Sequence, residues 1–131
     1  DLTIIATGGI TDVAIKAQKE FIKEGISLKI ISFHSIKPID RELIIDCALN
    51  TGGIITLEEH SMVGGLGSAV SEVLMQEYCF PKKFKMLGLE SKFSTIVGSQ
   101  EYLRSVNKLD VSSVVNVINK LNLYNHFTKS I

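Results

Sequence analysis

The sequence predicts an α/β domain: a three-layer α/β/α sandwich around a mostly parallel sheet. Three observations carry this. Short β-branched runs alternate with stretches whose apolar residues recur at helical spacing. Glycine or proline stands at most of the junctions between them. Hydrophobic residues make up 45% and charged residues 21% of the chain, and mean hydropathy is slightly positive, as for strands buried on both faces beneath helices. With 131 residues the chain fits one domain around one core. Residues 1–123 are read as that domain and 124–131 as an irregular tail.

The elements follow in order. "LTIIATGG" is a β-branched run ending in glycine, hence a buried strand. Thr11 is placed to cap the next helix, with Asp12 near its positive end. Ala14, Ala17, Phe21 and Ile22 then recur at helical spacing, and Gly25 supplies the stop. "LKIISF" reads as the second strand. Pro38 biases Lys37 toward extended geometry, and Asp40 caps a helix with Leu43, Ile44, Cys47 and Ala48 on its apolar face. Gly52 and Gly53 lead into "IITLE", the third strand. Leu66, Val70, Val73 and Leu74 form one helical stripe that ends before Pro81. "FKMLGL" is the fourth strand. A glycine- and serine-bearing stretch leads to a short helix near residues 99–106, and Asp110 caps a last helix carrying Val111, Val114, Val115, Ile118 and Leu121 on one face. Strand–helix alternation implies right-handed crossovers and helices on both faces. The direction of one strand is left open.

Composition excludes several classes of function. Lysine plus arginine equals aspartate plus glutamate, 14 each, so no sequence-wide basic field favours nucleic acid or an anionic membrane. No apolar run approaches the roughly 18 residues of a membrane helix, and "DLTIIATGG" has no basic region or signal core. A cytoplasmic protein is expected. The start at Asp1 is compatible with an excised domain. Cys47 and Cys79 stand 32 positions apart without a second thiol beside either. They read as reduced, buried thiols, although spacing does not exclude a disulfide.

In a parallel sheet, the loops after the strands share one edge, where ligands usually bind. Thr7, Gly8 and Gly9 fall there, as do His34 and Ser35, and Glu58, Glu59 and His60. "TLEEHSMVGGLGSAV", residues 56–70, is the most distinctive stretch. Its glycines could cradle phosphate at a helix start. However, the third place of the dinucleotide fingerprint holds Val70, the loop follows the third strand, and no Walker lysine is present. The favoured reading is packing: Gly64, Gly65 and Gly67 permit positive φ and close helix–sheet contact. A carboxylate beside an imidazole could do acid–base work or bind metal. Adjacent strand residues face opposite ways, though, so Glu58 and Glu59 cannot both face one substrate if the strand continues through them, and His34 joins only if its strand is a neighbour. A polar network that caps a loop or meets another subunit is the preferred reading. No nucleophile-elbow pattern surrounds Ser35, Ser61 or Ser68.

At these residues a family is recognisable. "GGIITLEEHSMVGGLGSAVSEVL" resembles the hallmark of the C-terminal domain of transketolase-type thiamine diphosphate enzymes. "HSIKPID" closely resembles the small subunit of a split transketolase, and "FKMLGLESKFSTIVGSQEYL" resembles that domain's later strand, turn and helix. The likeness runs over about residues 2–121. It implies a domain of an enzyme that moves a two-carbon ketol unit between sugar phosphates. Thiamine diphosphate and Mg would belong to the full enzyme and bind outside this chain, which lacks the Gly-Asp-Gly of the diphosphate-binding motif. No catalytic, cofactor or metal residue carries over. Glu59, His60, Gly64, Gly65 and Gly67 carry over as interface or supporting positions. The implied partners are the other domains or subunit of the thiamine enzyme, with a homodimer contact, and neither nucleic acid nor membrane. The alternative that the resemblance leaves is the C-terminal domain of a 2-oxo-acid dehydrogenase beta subunit or of deoxyxylulose-phosphate synthase. A free-standing anion-binding module is the alternative of another class.

Overall fold

The computed structural model describes residues 1–34, 36–90 and 97–121. Ser35, residues 91–96 of the glycine- and serine-bearing stretch, and the tail assigned to 124–131 lie outside the described residues. The elements run β1 (Leu2–Ala6), a 3-10 turn (Gly8–Ile10), α1 (Thr11–Ile22), β2 (Leu28–Ser32), α2 (Arg41–Asn50), β3 (Ile54–Ser61), α3 (Leu66–Gln76), β4 (Phe84–Leu89), α4 (Gln100–Val106) and α5 (Val111–Leu121).

The four strands form one sheet in the order β2-β1-β3-β4. Every pairing is parallel, so the strand direction left open by the sequence is settled. The chain first steps outward from β1 to β2, then crosses back past β1 to β3 and β4. Right-handed crossovers running in opposite directions put their helices on opposite faces. Two clusters reflect this. Leu2, Ile4, Ala6, Ile55 and Leu57 pack with α1 and α5. Ile5 and Ile54 pack with Ile44 and Cys47 of α2 and with Leu66, Val70, Val73 and Leu74 of α3. β1 lies between these layers, and all five of its residues are buried, which is why it reads as an unbroken apolar run. Cys47 and Cys79 are buried in the α2–α3 layer as free thiols.

Several boundaries differ from the sequence reading. Thr11 does not cap α1: it is the first helical residue, and its hydroxyl donates to the Gly8 carbonyl at 2.9 Å. The 3-10 turn feeds straight into the helix, so Ile10 takes the cap position with helical dihedrals. Ile22 lies on the solvent side, and Leu43 is only half-buried. Asp40 does cap α2, its Oδ1 accepting from the Leu43 amide at 3.0 Å. The bond between Lys37 and Pro38 is cis. Gly25 ends α1 at φ 75°, as a left-handed C-cap requires. α3 ends on Tyr78 at φ 52°, a conformation costing a non-glycine residue about 1–2 kcal/mol.

Candidate functional site

Strand order decides what the sheet's carboxyl edge can assemble. The direction of winding reverses between β1 and β3, and their carboxyl ends open onto one crevice. Thr7, Gly8 and Gly9 after β1 therefore lie beside Glu58, Glu59 and His60. β1 separates β2 from β3, so His34 does not meet the condition for joining that trio. The Thr7 hydroxyl donates to the Phe33 carbonyl at 2.9 Å, tying the ends of β1 and β2 together.

β3 runs on through His60 to Ser61, three residues beyond the strand read from "IITLE". Its pairing with β4 slips between Leu57 and Ser61, an irregularity of the kind that bends a strand and re-aims its side chains. Alternation holds across it. Glu58 turns to the α3 face and Glu59 to the α1 face, as the period of two demands.

Glu58 is 1% exposed. Its Oε1 accepts from the Leu66 amide at 2.9 Å and its Oε2 from the Gly67 amide at 2.8 Å. One carboxylate thus satisfies two of the free amides at the start of α3 and sits at the positive end of the helix. The cap comes from eight residues upstream; Gly65 at the cap position makes no side-chain bond. The glycines make room for this arrangement. Gly64 turns at φ 78°. A Cβ at Gly65 would stand 1.9 Å from Glu58 Oε1 and 2.7 Å from the Ser61 carbonyl. At Gly67 it would meet Thr56 Oγ1 at 2.8 Å and Met86 Cε at 2.9 Å. Ser68 closes the loop: its hydroxyl accepts from the Gly64 amide at 3.0 Å and donates to the Met62 carbonyl at 2.7 Å. Ser68 is thereby a loop tie.

On the other face Glu59 meets Arg104 of α4. Arg104 Nε donates to Glu59 Oε1 at 2.5 Å, and Nη2 pairs with the same carboxylate. Nη1 reaches Asp12 Oδ1 at 3.1 Å. Gln100 Nε2 adds a bond to Glu59 Oε2 at 3.3 Å. The Arg104 side chain is 10% exposed, so its charge is matched where water is scarce. His60 and His34 are exposed. Among the described residues no three His, Cys, Asp or Glu side chains gather as a metal ion would need.

The sequence reading attached no chemistry to Arg104, Gln100 or Gly88. A Cβ at Gly88 would approach Met62 Cγ to 2.8 Å and Glu58 Cγ to 3.1 Å. α4 buries no residue, and Arg104 ties it to Glu59 and Asp12, 45 and 92 positions away; no local pattern in the sequence signals that tie.

The chain matches the family model described as transketolase, C-terminal domain, over residues 1–114. It belongs to that family. A split-gene transketolase solved as an inactive beta4 tetramer shares the fold with TM-score 0.81 and 40% identity, covering 92% of this chain and 38% of that one. The 6-deoxy-6-sulfo-D-fructose transketolase subunit SqwH of a Clostridium species is 34% identical over 92% of this chain and 37% of its own length. A 1-deoxy-D-xylulose-5-phosphate synthase of Geobacter sulfurreducens is 37% identical over 87% of this chain and 18% of its own. This transketolase C-terminal domain thus spans under two fifths of each of these relatives.

Among the described residues, the two groups of the carboxyl edge best suited to the thiamine diphosphate that the family implies are already engaged. The amides best placed to take a diphosphate, at the start of α3, are filled by Glu58, and Arg104 is neutralised by Glu59 and Asp12.

Proposed function

We propose that this chain is the C-terminal, non-cofactor-binding part of a thiamine diphosphate-dependent transketolase that transfers a two-carbon ketol unit between sugar phosphates. Its own task is assembly, packing the thiamine- and Mg-binding regions and contributing to a homodimer. The observation that carries this is the 0.81 TM-score and 40% identity to the split-gene transketolase across 92% of the chain. The engagement of the α3 amides by Glu58 and of Arg104 by Glu59 and Asp12 supports an inert domain. Glu59, Gly64, Gly65 and Gly67 act by shaping the carboxyl edge, and His60 stands exposed upon it.

Calorimetry tests the division of labour. Titrating thiamine diphosphate with Mg into the 131-residue chain is expected to give no binding heat. Adding the chain to the companion thiamine-binding region is expected to yield ketol transfer from a ketose phosphate. Tight cofactor binding by the chain alone would refute the proposal. The 37% identity to the Geobacter sulfurreducens synthase favours one second reading, in which the assembled enzyme forms 1-deoxy-D-xylulose 5-phosphate instead. Product analysis separates the two.

A further inference from the structure

β4 is an open edge of the sheet. Among the described residues it pairs with β3 alone, and none of its residues is buried. Two bonds fix the direction of its backbone groups. The Ile54 amide donates to the Lys83 carbonyl at 2.9 Å, and the Met62 amide donates to the Leu89 carbonyl at 3.1 Å. Successive residues of a strand turn their N–H and C=O groups to opposite sides. The odd-numbered residues are therefore turned to β3, and Phe84, Met86 and Gly88 turn theirs outward. Among the described residues no hydrogen bond outside the ladder reaches those outward groups.

The same edge is charged. Lys82, Lys83 and Lys85 are exposed, and among the described residues none of them joins an ion pair. Glu77, the carboxylate before them in the chain, pairs with Arg41 instead. Just upstream, Tyr78 is 85% and Phe80 63% exposed, so two rings stand largely in water where the chain approaches the strand. Met86, Leu87 and Leu89 complete β4 as a half-buried stretch without charge.

Lysines on an edge strand deter pairing. They act against neutral and basic neighbours, whereas a strand that carries carboxylates meets them as partners. Here they stand at one end of β4, and the outward groups of Met86 and Gly88 lie beyond them. The lysines thus select among strands without closing the edge. A nucleic acid would match the lysines, but its phosphates bring only acceptors to a row in which amides alternate with carbonyls. A second copy of β4 brings three lysines of its own and one following carboxylate, Glu90. An extended acidic peptide supplies carboxylates for the lysines, and donors and acceptors in the period of the edge.

We propose that β4 is a strand-addition site for an acidic, extended segment of another polypeptide. Carboxylates of that segment lie beside Lys83 and Lys85, its apolar side chains lie beside Leu87 and Leu89, and its backbone bonds Phe84, Met86 and Gly88. The inference stands apart from the ketol-transfer reading.

Nuclear magnetic resonance titration of the 131-residue chain tests this. The probes are a peptide of two Glu-Thr repeats followed by two Val-Thr repeats, and a peptide with the repeats in reverse order. The two orders distinguish parallel from antiparallel addition. With the binding order, the amides of Phe84, Met86 and Gly88 should shift, and their exchange should slow about tenfold or more. Changing Lys83→Glu and Lys85→Glu together should weaken binding about tenfold or more, without a fall in melting temperature, since both side chains stand in water. Methylating every second peptide amide should abolish binding in one phase of the alternation and spare it in the other. Binding indifferent to that phase would mean charge attraction alone and would overturn the proposal, as would the failure of both peptides to shift 84–88. A uridine oligonucleotide that displaces the peptide and itself slows exchange at 84–88 would give the edge to nucleic acid. Protection of 84–88 that grows with the concentration of the chain alone would give it to a second copy. Either result would overturn the proposal as well.

Discussion

Glu58 fills the space that a side chain at Gly65 would need, since a Cβ there would stand 1.9 Å from Glu58 Oε1. The two positions form one device, in which the glycine lets the carboxylate reach the amides of Leu66 and Gly67. Glu58→Ala should destabilise the domain by about 3 kcal/mol, because two charge-assisted bonds to buried amides are lost. Gly65→Ala should cost about 1–3 kcal/mol through overpacking. Because the two changes meet at one spot, their combined cost should fall short of the sum by about 0.5–1 kcal/mol or more. Urea denaturation of the two single variants and the double variant measures this, and strict additivity would contradict it.

Arg104 should govern α4 locally. That helix buries no residue and is held through Glu59 and Asp12. Both carboxylates are partly in water, so Arg104→Met should cost only about 1–2 kcal/mol. Amides of α4 should lose exchange protection first, while β1 and β3 keep theirs. A uniform loss across the sheet would show that the cluster supports the whole core instead.

Thr56→Val should be neutral or stabilising. Thr56 Oγ1 is buried without a hydrogen-bond partner among the described residues, and the isosteric methyl removes a desolvated hydroxyl worth about 1 kcal/mol. Thermal denaturation checks the sign. A clear fall in melting temperature would mean that the hydroxyl does structural work beneath α3.

Asp110 should titrate below the 3.8 of a free aspartate. Bonds from Ser113 lower it most, burial opposes them, and the Ser112 hydroxyl, 3.0 Å from Oδ2, lowers it further. A depressed folded pKa means stability that is present above the unfolded value and is lost as pH falls through the folded one. Carboxyl NMR titration should therefore place the midpoint below 3.8, and Ser113→Ala should move it upward. A midpoint that Ser113→Ala leaves unchanged would contradict the assignment of cause.

Much of the scaffold could be read without coordinates, because local rules govern it. β-branched runs, helical stripes, the Asp40 cap and the Gly25 stop each depend on a few neighbouring residues, and each appears where the sequence puts it, except that Ile22 leaves its stripe for solvent and Leu43 is only half-buried. Thr11 escaped that reading because a 3-10 turn left no non-helical cap position for it to hold. The end of β3 escaped it because a register slip carries the strand through polar residues that read as loop.

By itself the sequence determined the layered α/β class, the order of its elements and the packing role of the glycines. Those follow from backbone periodicity and steric freedom, which are properties of short segments. Only the tertiary structure decided that β3 runs on and turns Glu58 and Glu59 apart, that Glu58 caps α3, that Arg104 closes on Glu59 and Asp12, and that β1 parts His34 from His60. Each depends on groups distant in sequence, and strand order with crossover direction, which no local pattern encodes, sets which of them meet.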